Sequence, residues 1–110
     1  MKALFATLLS ALVVSMAVPQ SSPPKDGYVP DSKTAARIAE AVLVPVYGEE
    51  AVRKERPFVA KLSGNIWTVE GTMYCEGPDG KLAPGICPGG VAVVKLSKTD
   101  GRILFLAHYK

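Results

Sequence analysis

The chain has 110 residues, of which 48% are apolar and 21% are charged, and its formal net charge is +3. This length fits one small globular domain and excludes two full-sized ones. Acidic and basic residues are interspersed, so the small positive excess does not form the basic stripe that nucleic-acid binding requires. We therefore expect no nucleic-acid partner.

Residues 1–17 are typical of a secretory signal peptide. Lys2 precedes an apolar run from Ala3 to Val14, which is shorter than the roughly 20 residues of a membrane span. Ser15 and Ala17 are small residues at the positions that signal peptidase favours. We expect cleavage after Ala17, no stable membrane span in the mature chain, and a periplasmic or secreted location. An uncleaved anchor is the alternative.

The next segment, residues 18–26, contains three prolines and a serine pair and few residues that could build a core. This composition predicts a flexible spacer. Residues 27–110 are then expected to form a single domain.

Two helices are predicted at the start of this domain. Asp31 or Ser32 is placed to cap a helix whose apolar residues recur at helical spacing. They are Ala35, Ile38, Ala39, Val42, Leu43 and Val46. Pro45 favours a helix end within residues 44–48, and a second short helix is predicted over Glu49–Arg56.

From Pro57 onward the apolar period changes to two, which predicts strands. The four candidates are residues 58–62, 66–73, 91–97 and 102–109. Trp67 and Val69 are expected to face the helix, and Asp100-Gly101 predicts the last hairpin turn. The fold class is therefore α+β, with an N-terminal amphipathic helix and a short second helix packed on a curved antiparallel sheet of about four strands.

The two cysteines are predicted to form a structural disulfide. Cys75 and Cys87 are too far apart for a redox motif and too few for a zinc site, and an exported chain meets an oxidising compartment. Closing this loop is worth about 3 kcal/mol in the loop-entropy model. The glycine- and proline-rich segment Tyr74–Gly90 is predicted to be a long loop pinned by this bond.

Three residues of this loop are the candidate partner contacts: Tyr74, Glu76 and Asp79. Tyr74 opens the loop, where a large amphipathic ring has little core to fill and can anchor an interface. Covering the disulfide is its alternative role.

Residues suited to catalysis are scarce. His108 is the chain's single histidine, and its place on the terminal strand favours a surface or edge position. No serine lies in a Gly-x-Ser-x-Gly motif, and Glu40 and Glu70 are expected to be solvated. We predict no catalytic residue, no metal ligand, no cofactor and no enzymatic activity.

A ligand pocket between helix and sheet would have three candidate lining residues: Tyr47, Trp67 and His108. Filling the single core is the alternative role for the aromatic side chains.

Several sequence blocks follow one another in order: GYVPDSKTAARIAEAVLVPVYGEE, RPFVAKLSGNIWTVEGT, GGVAVVKLSKTDGRI and a histidine just before the C-terminus. In this order they resemble the immunity-protein family with a nuclear-transport-factor-2-like fold, which is found in bacterial toxin systems. The resemblance implies a protein that neutralises a cognate toxin or hydrolase by binding it, without chemistry of its own. The cysteine-bearing segment after Thr72 and the AHYK ending depart from the family pattern.

The first prediction is therefore an exported, non-catalytic binding protein that docks a toxin or hydrolase through its open sheet face or through Tyr74–Gly90. Two alternatives stay open. One is a small-ligand-binding protein with a cone-shaped pocket. The other is a cystatin-like inhibitor of an extracytoplasmic protease that acts through hairpin tips such as Ser63-Gly64-Asn65.

Overall fold

The computed structural model describes residues 22–110. The predicted signal peptide and the first residues of the predicted spacer lie outside the described residues. Helix α1 spans Ser32–Tyr47, and Asp31 caps it by accepting a hydrogen bond from the Thr34 backbone N–H at 2.7 Å. An extended residue with a short side-chain oxygen is favoured at this position because it satisfies a free N–H of the first turn. The predicted amphipathic helix is confirmed.

Helix α1 is followed directly by the short helix α2, Glu49–Lys54. Pro45 lies in the last turns of α1, and the helix ends at Tyr47, within the predicted range. Gly48 has a φ of 93° and donates its N–H to the Val44 carbonyl at 2.8 Å. Glycine adopts this φ without steric cost, so the chain can turn sharply between the two helices.

Six strands complete the fold. They are β1 Val59–Ser63, β2 Ile66–Glu70, β3 Tyr74–Glu76, β4 Leu82–Pro84, β5 Ala92–Ser97 and β6 Ile103–His108. Four of them form an antiparallel sheet in the order β1-β2-β5-β6, and β3 pairs with β4 in a separate small sheet. Two helices on an antiparallel sheet make an α+β fold, as the sequence predicts.

The core lies between α1 and one face of the four-stranded sheet. Its buried residues are Val29, Ala35, Ala39, Leu43, Val52, Phe58, Trp67, Val69, Ala92, Val94 and Leu96. Trp67 and Val69 both face inward from β2, which confirms the predicted alternation. The Trp67 indole N–H donates to the Val29 carbonyl at 2.8 Å and so holds the segment before α1 against the sheet.

One predicted strand is too long, and one predicted loop contains strands. The predicted strand 66–73 ends at Glu70, because the Thr72 backbone N–H turns away from the sheet and donates to the Glu55 carbonyl at 2.7 Å. The predicted long loop Tyr74–Gly90 contains the paired strands β3 and β4. None of the helices described in residues 22–110 is long and apolar enough to cross a membrane.

Candidate partner-binding site

The segment Tyr74–Gly90 forms a hairpin, which we call the disulfide hairpin. Its strands pair in register from Tyr74 opposite Pro84 to Glu76 opposite Leu82. The bond between Cys75 and Cys87 has formed, with an S–S distance of 2.03 Å. An isolated two-stranded hairpin is marginally stable in water, so the disulfide supplies a constraint that the short ladder lacks. Because disulfides persist in oxidising compartments, the bond also indicates a location outside the cytoplasm.

The tip of the disulfide hairpin carries two of the candidate contact residues. Asp79 accepts a hydrogen bond from the Lys81 backbone N–H at 3.1 Å, and Gly77 donates its N–H to the Lys81 carbonyl at 2.9 Å. The Asp79 side chain therefore shapes the turn. Glu76 and Asp79 are both exposed, which leaves their carboxylates accessible from solvent.

Tyr74 lies at the base of the disulfide hairpin and is half-buried. Its hydroxyl donates to the Arg56 carbonyl at 2.5 Å. The neighbouring Thr72 hydroxyl donates to the Pro57 carbonyl, also at 2.5 Å. These two hydrogen bonds join the start of the disulfide hairpin to the segment that precedes β1, and they set its direction relative to the main sheet.

Two large apolar side chains of the disulfide hairpin face solvent. Leu82 is 71% exposed and Ile86 is 102% exposed. Single exposed apolar residues are common on protein surfaces. Two of them on one short, cross-linked hairpin, with Glu76 also exposed, make this hairpin a candidate contact surface.

A groove of about 450 Å³ runs between the disulfide hairpin and the end of α2. Its lining residues come from four segments: Lys54 and Glu55, residues 72–74, Leu82, and residues 87–91. Leu82 therefore forms one wall of this groove. The open face of the main sheet is the other predicted surface, and there Lys95 lies over the Phe105 ring with its Nζ 5.9 Å from the centroid.

Glu55 lies in the inner wall of the groove, within the segment Glu49–Arg56 that the sequence predicts as a short helix. Its side chain is 15% exposed. One carboxylate oxygen accepts from the Ala92 backbone N–H at 2.7 Å, and the other lies 3.1 Å from Nε2 of His108. Gly71 leaves room for the Glu55 carboxylate, because a Cβ at position 71 would lie only 2.5 Å from one of its oxygens.

The three candidate pocket residues occupy two places. Tyr47 and His108 are in edge-to-face contact, with their ring centroids 5.6 Å apart. Trp67 on β2 is a buried core residue that pairs with Leu96 of β5. His108 on β6 pairs with Ala92, at the other end of β5. Four residues of strand separate the two places by about 13 Å.

Glu40 and Glu70, which are both predicted to be solvated, differ in their surroundings. Glu70 is exposed, as predicted. Glu40 is not freely solvated, because Arg56 donates its Nε hydrogen to the Glu40 carboxylate at 3.2 Å, which packs the end of α2 against α1. Within residues 22–110, no group of three or more histidine, cysteine, aspartate or glutamate side chains is placed to hold a metal ion.

Comparison with known proteins agrees with the fold. The family model described as NTF2 fold immunity protein matches residues 34–110, which include both helices and all six strands except the start of α1. A protein of Escherichia coli (strain K12), named "Uncharacterized protein YhhH", is 32% identical over 82 residues. The alignment covers 74% of this chain and 58% of that protein. No solved structure matches the chain. From the family match, this chain belongs to the NTF2 fold immunity protein family.

Proposed function

We propose that this chain is an exported, non-catalytic immunity protein that neutralises a cognate bacterial toxin or hydrolase by direct binding. The disulfide hairpin is the proposed contact surface. The observation that carries this proposal is the exposure of Leu82 and Ile86 on a cross-linked hairpin in a chain of an immunity family.

A cross-linked hairpin suits this task for an energetic reason. Binding orders the groups that meet at the interface, and a segment that is already constrained loses less conformational entropy when it binds. In this proposal Leu82 and Ile86 supply the apolar centre of the contact, and Glu76 and Asp79 supply its polar margin. Tyr74 contributes from the base, where its hydrogen bond to Arg56 fixes the direction of the hairpin.

The proposed location is the periplasm or the extracellular space. Support comes from the signal-peptide pattern of residues 1–17 and from the disulfide, which a reducing cytoplasm would not maintain. In the mature chain, residues 18–26 would then act as a spacer and residues 27–110 as the binding domain.

The experiment starts from the tagged, oxidised chain, with which proteins are captured from the envelope and secreted fractions of the native host. Each stoichiometric partner is then expressed alone and together with the chain, and growth is measured. We expect at least one partner to inhibit growth and the chain to restore it. Captured partners that leave growth unaffected, or whose toxicity the chain does not relieve, would contradict the immunity role.

The same growth assay tests the contact surface. The double substitution Leu82→Asn and Ile86→Asn removes the exposed apolar pair, so we expect it to abolish the rescue while the fold is retained. Val46→Asn is the matched control, because Val46 is also exposed but lies on α1. Equal rescue by the double variant and the control would show that the disulfide hairpin is not the contact.

A further inference from the structure

A second groove, which we call the edge groove, lies between α1 and the free edge of β1. Its volume is about 470 Å³. One wall consists of the α1 residues Ser32, Lys33, Ala36, Arg37 and Glu40, and the other of residues 56–60. The groove therefore runs alongside the backbone of an edge strand.

The backbone of β1 has one unused side. β1 pairs with β2 alone, and among the described residues no hydrogen bond outside that ladder involves the backbone of residues 58–63. In a β-strand, alternate N–H and C=O groups point to opposite sides, so half of these groups face the groove side. They form a template for one more strand.

The opposite edge of the sheet is less suited to pairing. The register between β5 and β6 shifts at Lys95/Leu96, and such a bulge bends a strand and interrupts regular pairing. The register between β1 and β2 is regular over five residue pairs, from Val59 opposite Glu70 to Ser63 opposite Ile66. The edge that remains regular is thus the one that borders the groove.

The walls of the edge groove combine apolar and cationic groups. Ala36, Phe58 and Ala60 are apolar lining residues, while Lys33 and Arg37 lie on the helix wall. Arg56 is paired with Glu40 at 3.2 Å and lies 3.7 Å from Glu49. Within residues 22–110, no carboxylate lies within ion-pairing distance of Lys33 or Arg37. Two exposed cations are left to attract an acidic occupant.

The edge groove is joined to the disulfide hairpin through residues 56 and 57. Arg56 lines the groove, and its carbonyl accepts the hydrogen bond from Tyr74 at the base of the hairpin. The Pro57 carbonyl is bonded to Thr72 in the same way. Residues 56 and 57 therefore belong to the lining of the edge groove and also hold the base of the disulfide hairpin.

We propose that the edge groove binds an extended, acidic segment of the partner toxin, which adds as a strand beside β1. Main-chain hydrogen bonds to β1 hold the segment, its alternate apolar side chains contact Phe58 and Ala60, and its carboxylates face Lys33 and Arg37. This inference deepens the immunity role and rests on it.

The test uses the full oxidised chain, labelled with ¹⁵N, and a short peptide of alternating glutamate and valine as the probe. We expect the peptide to shift the amide resonances of residues 58–62 and to slow hydrogen exchange at alternate residues. The same peptide with alternate N-methylated amides cannot form the ladder, so we expect it to give no protection. The version with lysine in place of glutamate is expected not to bind.

The charge requirement is tested with two matched double variants. Lys33→Glu with Arg37→Glu reverses the groove cations and is expected to weaken peptide binding about tenfold or more, since charge complementarity at the site is lost. Lys25→Glu with Lys110→Glu changes the net charge equally on exposed residues that lie outside both the edge groove and the disulfide hairpin. We expect it to leave the peptide affinity within about twofold.

Several results would overturn the proposal. They are resonance shifts located elsewhere, equal binding of the N-methylated peptide, and equal weakening by the two double variants. Protection, in the free chain, of those β1 amides that face the groove, whether by a second copy or by its own first 21 residues, would overturn it as well. The growth assay does not use the peptide, so a failure of the edge groove leaves the immunity role separately testable.

Discussion

The carboxylate of Glu55 joins the end of α2 to the start of β5 and the end of β6 through Ala92 and His108. We expect Glu55→Ala to lower the free energy of unfolding by about 1–3 kcal/mol, because the partly buried Ala92 N–H loses its acceptor. Urea denaturation measures the change. Glu50→Ala is the control, since the Glu50 pair with Arg53 is exposed. Equal denaturation midpoints for both variants would contradict this role of Glu55.

Gly90 marks the closest backbone approach at the C-terminal end of the sheet. A Cβ added at Gly90 would lie 1.8 Å from the Tyr109 carbonyl oxygen. Gly90→Ala is therefore expected to lower the free energy of unfolding by about 1–3 kcal/mol, since the end of the chain must move. Gly85→Ala is the matched control, because its nearest neighbour would be 3.6 Å away. If thermal denaturation shows both variants to be equally stable, the Tyr109 backbone does not lie this close to Gly90.

Acid sensitivity at the start of α1 follows from Asp31. The hydrogen bond from the Thr34 backbone N–H lowers the pKa of Asp31 below its ordinary value of 3.8. Between that lowered pKa and the ordinary value, the folded chain therefore binds fewer protons than the unfolded chain. The resulting stabilisation is complete above pH 3.8 and is lost as the pH falls through the lowered pKa.

Asp31→Asn isolates this contribution, since asparagine can still cap the helix but does not titrate. We expect the variant to lose less stability than the wild-type chain between about pH 5 and about pH 2. Denaturant midpoints across that range provide the measurement. A variant with the same pH dependence as the wild-type chain would show that Asp31 does not contribute.

Among the elements, the disulfide hairpin depends most on its covalent bond. Replacing both cysteines, Cys75→Ser with Cys87→Ser, is expected to lower the free energy of unfolding by about 3 kcal/mol because the unfolded chain gains freedom. Amide exchange should become fast in β3 and β4 while the core of the main sheet stays protected. Unchanged stability, together with unchanged protection of β3 and β4, would contradict this dependence.

The helices and the main sheet could be predicted from the sequence because each buries one face. On α1 the buried face is a stripe of Ala35, Ala39 and Leu43. On β2 it is the alternate pair Trp67 and Val69. Both spacings are visible in the sequence. Strands β3 and β4 have no buried residue, so no alternation of apolar and polar residues marks them. Glycine and proline in the same segment favour a loop on propensity, and a loop was predicted there.

The candidate site was harder to predict because its parts meet through the fold. Glu55 is 37 residues from Ala92 and 53 from His108, so no local pattern reports their contact. The cysteines could be predicted to pair because their chemistry is specific. That Tyr74, Glu76 and Asp79 contact a partner stays a prediction.

Within residues 22–110, α1 covers one face of the main sheet, and the disulfide hairpin and the edge groove are the exposed candidate surfaces. The disulfide hairpin and the edge groove lie on either side of Arg56 and Pro57, which are bonded to Tyr74 and Thr72. One partner could therefore contact both surfaces. The net charge of +3 includes Lys2 of the predicted signal peptide, and the positive charge that stays in the mature chain also favours encounter with an acidic protein. This contribution should weaken as salt is raised.

The proposed function requires that the chain neutralise its partner by binding rather than by chemistry. The most direct measurement titrates the activity of the purified toxin or hydrolase with the oxidised chain. We expect prompt inhibition that grows in proportion to the added chain and is complete near one chain per partner. Progressive inactivation by a small fraction of an equivalent would show that the chain acts as a catalyst, and full activity in excess chain would show that it does not neutralise that partner.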